Sequence, residues 1–233
     1  MASSTPFSIP ADMLAVFESN PWTKNLLANT EYLPVETGSR RSKPETGEDA
    51  FFATTLGTST TIPHLLTLKR KPDLLTTPPT TPPRIPTPPA KWPSPRPSTP
   101  PTIITLLNLA EPGISGHPGV AHGGVISTLL DEIMSLCVAA HMPSGFSLSA
   151  DERGRVFTMQ LDVRFKNPVV VPGLAVVKIW CVAHEGRKFW LRGQFLQEAP
   201  EEKGAPIELE MPTKKIICAD SLGFFVLVPP QKL

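Results

Sequence analysis

Cysteine is scarce in this chain, and its placement excludes a disulfide-stabilised or cysteine-bound metal protein. The 233 residues contain only 3 cysteines, Cys137, Cys181 and Cys218, which lie far apart in apolar or alternating segments. An odd number of widely spaced cysteines predicts buried free thiols in a reducing compartment, with neither a disulfide framework nor a CxxC metal pair.

The chain also lacks an excess of charge of either sign. It has 22 Lys and Arg against 21 Asp and Glu, a formal net charge of +1. Nucleic-acid binding needs a broad positive field, so no nucleic-acid partner is predicted. Any anionic ligand must be held by a local cluster of cations.

Recognisable metal, cofactor and serine-hydrolase motifs are missing. The 5 histidines show no HxxxH or HExxH spacing, so no metal site is predicted. No Gly-x-Ser-x-Gly elbow occurs, and the glycine-rich stretch 113–124 is not followed by the Lys-Ser/Thr of a phosphate-binding loop. The sequence therefore predicts no cofactor.

Targeting signals and long apolar runs are weak or absent. No run approaches the roughly 20 apolar residues of a membrane span, and no basic-then-apolar leader opens the sequence. The first arginine is Arg40, which argues against a mitochondrial presequence. The final Gln-Lys-Leu shares two positions with the peroxisomal Ser-Lys-Leu address, a weak match. We therefore expect a cytoplasmic protein, with a peroxisomal one as the alternative.

Proline, by contrast, is abundant, and it divides the chain. Nearly half of residues 76–101 are proline and most of the rest are threonine or serine, which predicts a disordered insertion. Two PxxP-plus-cation matches within it make this tract a weak candidate ligand for an SH3-type groove.

Residues 1–50 read as a helical and loop extension, with helices expected in two pieces between residues 9 and 33. Residues 51–75 and 102–228 are predicted to form one folded domain, with strand or mixed character at both 51–56 and 62–69.

The second half of the chain alternates between one helix pattern and several strand patterns. Residues 125–140 form the best helix, and 157–165 alternate apolar and polar residues with the period of a half-buried strand. Further strands are expected at 103–109, 175–182, 188–196 and 214–228, with a hairpin turn at 184–187. One long helix followed by consecutive strands predicts an α+β protein with an antiparallel sheet wrapped around the helix.

The start of that helix favours a reactive site. His122-Gly123-Gly124 lacks a usual capping residue, so we expect bare N–H groups at the positive end of the helix dipole. Such donors stabilise an oxyanion that develops on a carbonyl. Asp131 lies a little over two turns further along, opposite the apolar stripe. For an arbitrary helix, a solvated acidic face would be the favoured interpretation.

Three motifs follow one another in order along this half of the chain. They are the run from His122 to Asp131, Leu161-Asp162-Val163-Arg164-Phe165-Lys166-Asn167-Pro168, and Glu185-Gly186-Arg187-Lys188-Phe189-Trp190. Together they resemble hotdog-fold acyl-CoA thioesterases of the phenylacetate-degradation type. The third motif resembles the mammalian thioesterase superfamily members that act on long acyl-CoAs. The resemblance covers residues 102–228 and implies a hotdog fold that hydrolyses an acyl-CoA thioester.

The resemblance also implies roles for individual residues. Asp131 would be the general base or the nucleophile, the amide of Gly123 would polarise the thioester carbonyl, and His122 would shape the turn. Thr158, on the polar face of its strand, would orient water. The family's acid and threonine are expected from different subunits, which implies a homodimer or a dimer of dimers. The implied contacts to CoA are Arg164, Lys166, Arg187 and Lys188.

Two other interpretations remain open. A hotdog protein could bind an acyl-CoA without hydrolysing it, or the chain could be an interaction protein that acts through residues 76–101. The four cations could equally form a solvated strand face. The acyl group is not predicted by the sequence.

Overall fold

A computed structural model describes residues 7–83, 99–142, 154–199 and 214–229. The helices are α1 (Ala11–Glu18), α2 (Pro21–Leu27) and α3 (Gly123–Ala140), with short 3-10 turns at Gly38–Arg40 and Pro72–Leu74. The strands are β1 (Tyr32–Val35), β2 (His64–Arg70), β3 (Ile103–Leu109), β4 (Ser115–His117), β5 (Val120–Ala121), β6 (Arg155–Phe165), β7 (Gly173–Glu185), β8 (Lys188–Glu198) and β9 (Lys215–Val228).

Seven of these strands form one antiparallel sheet with the order β1-β2-β3-β7-β8-β9-β6. The helix α3 packs on one face of it, against β3, β6, β7, β8 and β9. The predicted α+β class and hotdog architecture, a sheet around one long helix, are confirmed. By length and composition α3 could cross a membrane, but here its apolar residues pack on the sheet and form the core.

The alternation of side chains along β3 explains why the sheet carries two apolar layers. Ile103 and Leu107 belong to the core beneath α3, whereas Ile104 and Leu106 belong to a second cluster with Phe17. Because successive side chains of a strand point to opposite faces, α1 and α2 must cover the face that α3 leaves open. The two helices predicted for the N-terminal extension therefore form and pack on the sheet.

The segment 51–56, expected to have strand or mixed character, is a π-helical turn at Phe51–Thr55. The guanidinium group of Arg40 donates hydrogen bonds to the carbonyl oxygens of Phe52, at 2.8 Å, and Leu56, at 3.2 Å. In a strand these two carbonyl groups, four residues apart, would lie about 13 Å from each other, whereas a helical turn brings both to one cation. The strand interpretation of this segment is wrong.

The described ends of the predicted 76–101 insertion lie against the sheet. The amide of His184 donates to the carbonyl of Pro79 at 2.9 Å, and the indole N–H of Trp180 donates to that of Thr99 at 2.9 Å. These contacts cover the part of β7 that extends beyond the end of β3. Residues 84–98, which carry the centre of the proline tract, lie outside the described residues, as do the last three residues, 231–233.

Close packing between α3 and the sheet depends on glycine at position 193. A Cβ atom there would lie 2.6 Å from Oγ of Ser221 and 2.8 Å from Cε of Met134. We expect Gly193→Ala to lower the free energy of unfolding by about 1–3 kcal/mol because the buried neighbours must shift. Gly38→Ala is the matched control, since nothing lies within 4 Å of a Cβ at that position. Equal urea midpoints for the two variants would contradict this packing.

Candidate functional site

Asp131 and Thr158 lie together, as a shared role requires. The hydroxyl group of Thr158 donates a hydrogen bond to Oδ1 of Asp131 at 2.7 Å. Both residues belong to one chain, Asp131 on α3 and Thr158 on β6. The expectation that the acid and the threonine come from different subunits is therefore wrong, and this pair by itself gives no argument for a dimer.

A bulge in β6 directs Thr158 towards α3. The pairing of β6 with β9 changes register between Thr158 and Gln160. After the bulge, Leu161 and Val163 pack on the core beneath α3, and before it Val156 does so. Because the extra residue shifts the alternation by one, Thr158 shares the helix-facing side with these apolar residues. The predicted strict alternation, with Thr158 on the opposite polar face, is wrong.

His122 caps α3, contrary to the expectation of a turn with only bare amides. Its Nδ1 accepts a hydrogen bond from the amide of Gly124 at 2.9 Å. This bond requires Nδ1 to be unprotonated, so the neutral ring carries its proton on Nε2. Within the described parts of the chain, the amide of Gly123 has no hydrogen-bond acceptor. One free donor at the helix N-terminus, rather than several, is available to a ligand.

The ring of Phe165 forms one wall beside that donor. A Cβ atom on Gly123 would lie 3.3 Å from Cζ of Phe165, so the aromatic ring lies directly against the glycine. Phe165 is the last residue of β6 and is 56% exposed. The sequence placed it in a strand but did not identify it as part of the site.

Gly123 and Asp131 are too far apart to act on one carbonyl group within a single chain. The eight residue steps from Gly123 to Asp131 correspond to about 12 Å along a helix that rises 1.5 Å per residue. A reacting carbonyl carbon must lie about 3 Å from both groups. The helix N-terminus and the carboxylate of one chain therefore do not form a complete site by themselves.

The four predicted CoA contacts fall into two separate pairs. Arg164 lies opposite Asp220 in the β6–β9 register, and Lys166 donates to Oδ2 of Asp220 at 3.1 Å. Arg187 and Lys188 lie at the β7–β8 hairpin. In the strand register, Lys188 is opposite Val226 of β9, which is in turn opposite Phe157 of β6. Six residue steps of β9, from Asp220 to Val226, separate these levels, about 20 Å at 3.3 Å per residue. The structure does not bring all four cations together within one chain.

A buried ion pair beside the first of these pairs was not identified from the sequence. Arg192 donates from Nε and Nη2 to the two carboxylate oxygens of Asp220, at 3.2 and 2.6 Å. Both residues are buried on the face of the sheet opposite α3. The sequence feature that indicates this pair is an arginine and an aspartate within otherwise apolar strands.

Other titratable groups lie at the far end of α3. Burial lowers the pKa of His141 to about 4 and raises the pKa of Cys137 well above its usual value. Burial also raises the pKa of Cys181 to about 12. These thiols stay protonated near neutral pH, so they do not supply a thiolate nucleophile. In the described ranges, no group of three or more His, Cys, Asp or Glu side chains could hold a metal ion.

Comparison with known proteins identifies the domain that carries this site. Residues 118–202 match the family model described as the thioesterase superfamily. The chain contains a thioesterase-superfamily domain. The matched range includes α3, β6, β7 and β8, and therefore Asp131, Thr158 and the helix N-terminus.

Individual relatives of the thioesterase domain are similar over part of their length. The chain is 24% identical over 121 residues to acyl-coenzyme A thioesterase THEM4 of Bos taurus, covering 52% of this chain and 39% of that protein. It is 32% identical over 94 residues to acyl-coenzyme A thioesterase THEM5 of Homo sapiens, covering 39% of this chain and 33% of that protein. An uncharacterized protein of Schizosaccharomyces pombe is 29% identical over 120 residues, covering 52% and 56% of the two chains. These matches span between a third and somewhat over half of the relatives.

Among solved structures, a thioesterase family protein from Silicibacter pomeroyi aligns with a TM-score of 0.43 at 13% identity, covering 56% of this chain and 80% of that one.

The His122 cap can be tested without touching the carboxylate. We expect His122→Ala to lower the free energy of unfolding by about 1 kcal/mol, since the Gly124 amide loses its acceptor. His122→Asn keeps a short acceptor at the N-cap position and should restore most of the loss. Thermal unfolding of the three proteins measures this difference, and a His122→Asn variant no more stable than His122→Ala would contradict the capping role.

Proposed function

We propose that this chain hydrolyses acyl-CoA thioesters, with Asp131 as the general base. The hydrogen bond between Thr158 and Asp131 carries the proposal. A hydroxyl group that donates to a carboxylate still has lone pairs that accept from water. Thr158 can therefore hold a water molecule beside Asp131 while it fixes the orientation of the carboxylate. This arrangement favours water as the nucleophile over direct attack by the carboxylate.

In the proposed reaction, water attacks the thioester carbonyl carbon while Asp131 takes its proton. The C–S bond of the tetrahedral intermediate then breaks, and the CoA thiolate leaves and is protonated. The negative charge on the carbonyl oxygen is stabilised by the free amide of Gly123 at the positive end of α3. The products are a carboxylic acid and CoA.

The site is completed by a second copy of the chain. Within the described parts, β6 pairs only with β9, so its other edge is open, and it exposes Phe157 (48%) and Met159 (62%). Open apolar edges are suited to pairing with another strand. We propose that two copies pair antiparallel along β6 about a two-fold axis that passes beside Asp162, so that opposite side chains face the same side of the joined sheet.

This axis follows from which groups lie at each end of β6. Thr158 marks the end where Asp131 lies, and Phe165 marks the end where Gly123 lies. Because the bulge adds one residue between Thr158 and Gln160, this antiparallel pairing aligns Thr158 of one copy with Phe165 of the other. It therefore brings the Gly123 amide of one copy towards the Asp131 carboxylate of the other, and removes the separation of about 12 Å within one helix.

The role of Asp131 is tested by Asp131→Asn, which keeps the size of the side chain and removes its basicity. We expect turnover of an acyl-CoA, measured as thiol release, to fall by roughly 10²–10⁴-fold. The unfolding midpoint should change little, because the amide can still accept from Thr158. Activity within a few-fold of the unchanged protein would remove Asp131 from the mechanism.

A shared site is tested by mixing two inactive variants. Gly123→Pro removes the N–H at the first helical position, where proline is accepted, and His122 already has the extended backbone that precedes proline. Gly123→Ala is its control, since it adds a Cβ but keeps the donor. Refolding Asp131→Asn and Gly123→Pro together makes half of the dimers mixed, each with one intact site, so we expect roughly a quarter of full activity.

If each site is built within one chain, every site in the mixture carries a defect. Activity no higher than that of the separate variants would then be measured, and the shared site would be rejected.

A further inference from the structure

A second polar network lies next to the helix N-terminus, on the opposite face of the sheet. Asp220 of β9 accepts hydrogen bonds from Arg192 of β8 and from Lys166, which follows the last residue of β6. Asp220 and Arg192 have side chains only 4% and 5% exposed, whereas that of Lys166 is 45% exposed. One buried carboxylate thus joins a buried cation to a half-exposed one.

Structural stability alone gives a poor account of this network. Arg192 already binds both oxygens of Asp220, which satisfies the carboxylate by a two-bond pair. Buried ion pairs contribute little net stability because of the desolvation they require. The additional contact to Lys166 fixes the direction of a long side chain that would otherwise move freely in solvent.

The charges of the network leave an excess of positive charge at this place. Lys166 and Arg192 carry two positive charges against the single negative charge of Asp220. An ammonium group has three N–H donors, and Asp220 accepts one of them. Lys166 therefore points a charged donor, held in place by a buried acid, into the solvent at the end of β6.

The location connects this donor with the proposed reaction. Lys166 directly follows Phe165, whose ring lies against Gly123, where the thioester carbonyl is proposed to bind, so both residues lie at the same end of β6 although their side chains are on opposite faces of the sheet. A thioester bound there extends its CoA portion out of the site, and the phosphate groups of CoA are anions that need a local cation. We propose that Asp220 is a positioning residue that holds Lys166 for a phosphate group of the CoA moiety, an inference that rests on the proposed function.

The test compares ligands with and without phosphate groups. Lys166→Met keeps the Arg192–Asp220 pair and removes only the exposed charge. We expect it to raise the KM for an acyl-CoA on the order of tenfold, the loss of one charge-assisted hydrogen bond, with kcat nearly unchanged. The KM for the corresponding acyl-pantetheine should not change, because pantetheine carries no phosphate.

Asp220→Asn tests the positioning itself. It should raise the KM for acyl-CoA in the same direction, and adding it to Lys166→Met should have no further effect on that KM. Because this change leaves Arg192 without its buried acid, unfolding is measured alongside, and Asp220→Glu should restore part of the affinity. Lys215→Met is the matched control: Lys215, the first residue of β9, also pairs with an acid on the neighbouring strand, Glu198, but does not contact Asp220.

Calorimetric titration with CoA and with pantetheine separates this inference from the proposed reaction. Weaker binding of CoA, but not of pantetheine, by Lys166→Met supports the inference whether or not thiol is released. An equal effect on both ligands, or no effect on either, would overturn it. A protein that binds CoA through Lys166 but releases no thiol would instead refute the hydrolase proposal.

Discussion

The hydrogen bond between Thr158 and Asp131 is the interaction on which the site depends, and a single extra residue in β6 makes it. Without the bulge before Gln160, regular alternation would turn the threonine away from α3. With it, one strand presents apolar side chains to the core and a hydroxyl group to the carboxylate on the same face. The bulge thus places one polar side chain on the core-facing side of β6, while the apolar side chains before and after it still pack beneath α3.

The same strand links folding to assembly. β6 is the last strand of the sheet, so only one of its edges is satisfied by β9 within the described chain. Its two ends hold the two halves of the proposed chemistry: a carboxylate with its threonine at one end, and a free helix amide beside Phe165 at the other. A helix fixes these halves too far apart for one thioester. In the proposed two-fold pair, antiparallel β6 strands bring the carboxylate of one copy towards the helix amide of the other.

Much of the fold could be predicted because its signals are local. The apolar stripe of α3, the period of β6 and the hairpin after Glu185 each appear in a few neighbouring residues. Asp131 and Gly123 could be named for the same reason, since a helix start and its polar face are visible in sequence. The observed ends of the strands agree with the predicted ones to within a few residues.

What the sequence could not predict depends on register and on distant partners. Nothing in the alternation of residues 157–165 marks where the bulge falls, so Thr158 was placed on the wrong face. The histidine cap depends on a ring rotating back onto the Gly124 amide. The division of the four cations into two groups, and the joining of Lys166 to Asp220, follow from strand pairing between residues more than fifty positions apart.

Release of free thiol from a panel of acyl-CoAs, varied in chain length and aromatic character, tests the central claim most directly. The account predicts many turnovers per protein chain with at least one acyl group, with the carboxylic acid formed in equal amount. Tight binding of acyl-CoAs across the panel with no thiol released would contradict it, and would identify a protein that holds thioesters without cleaving them.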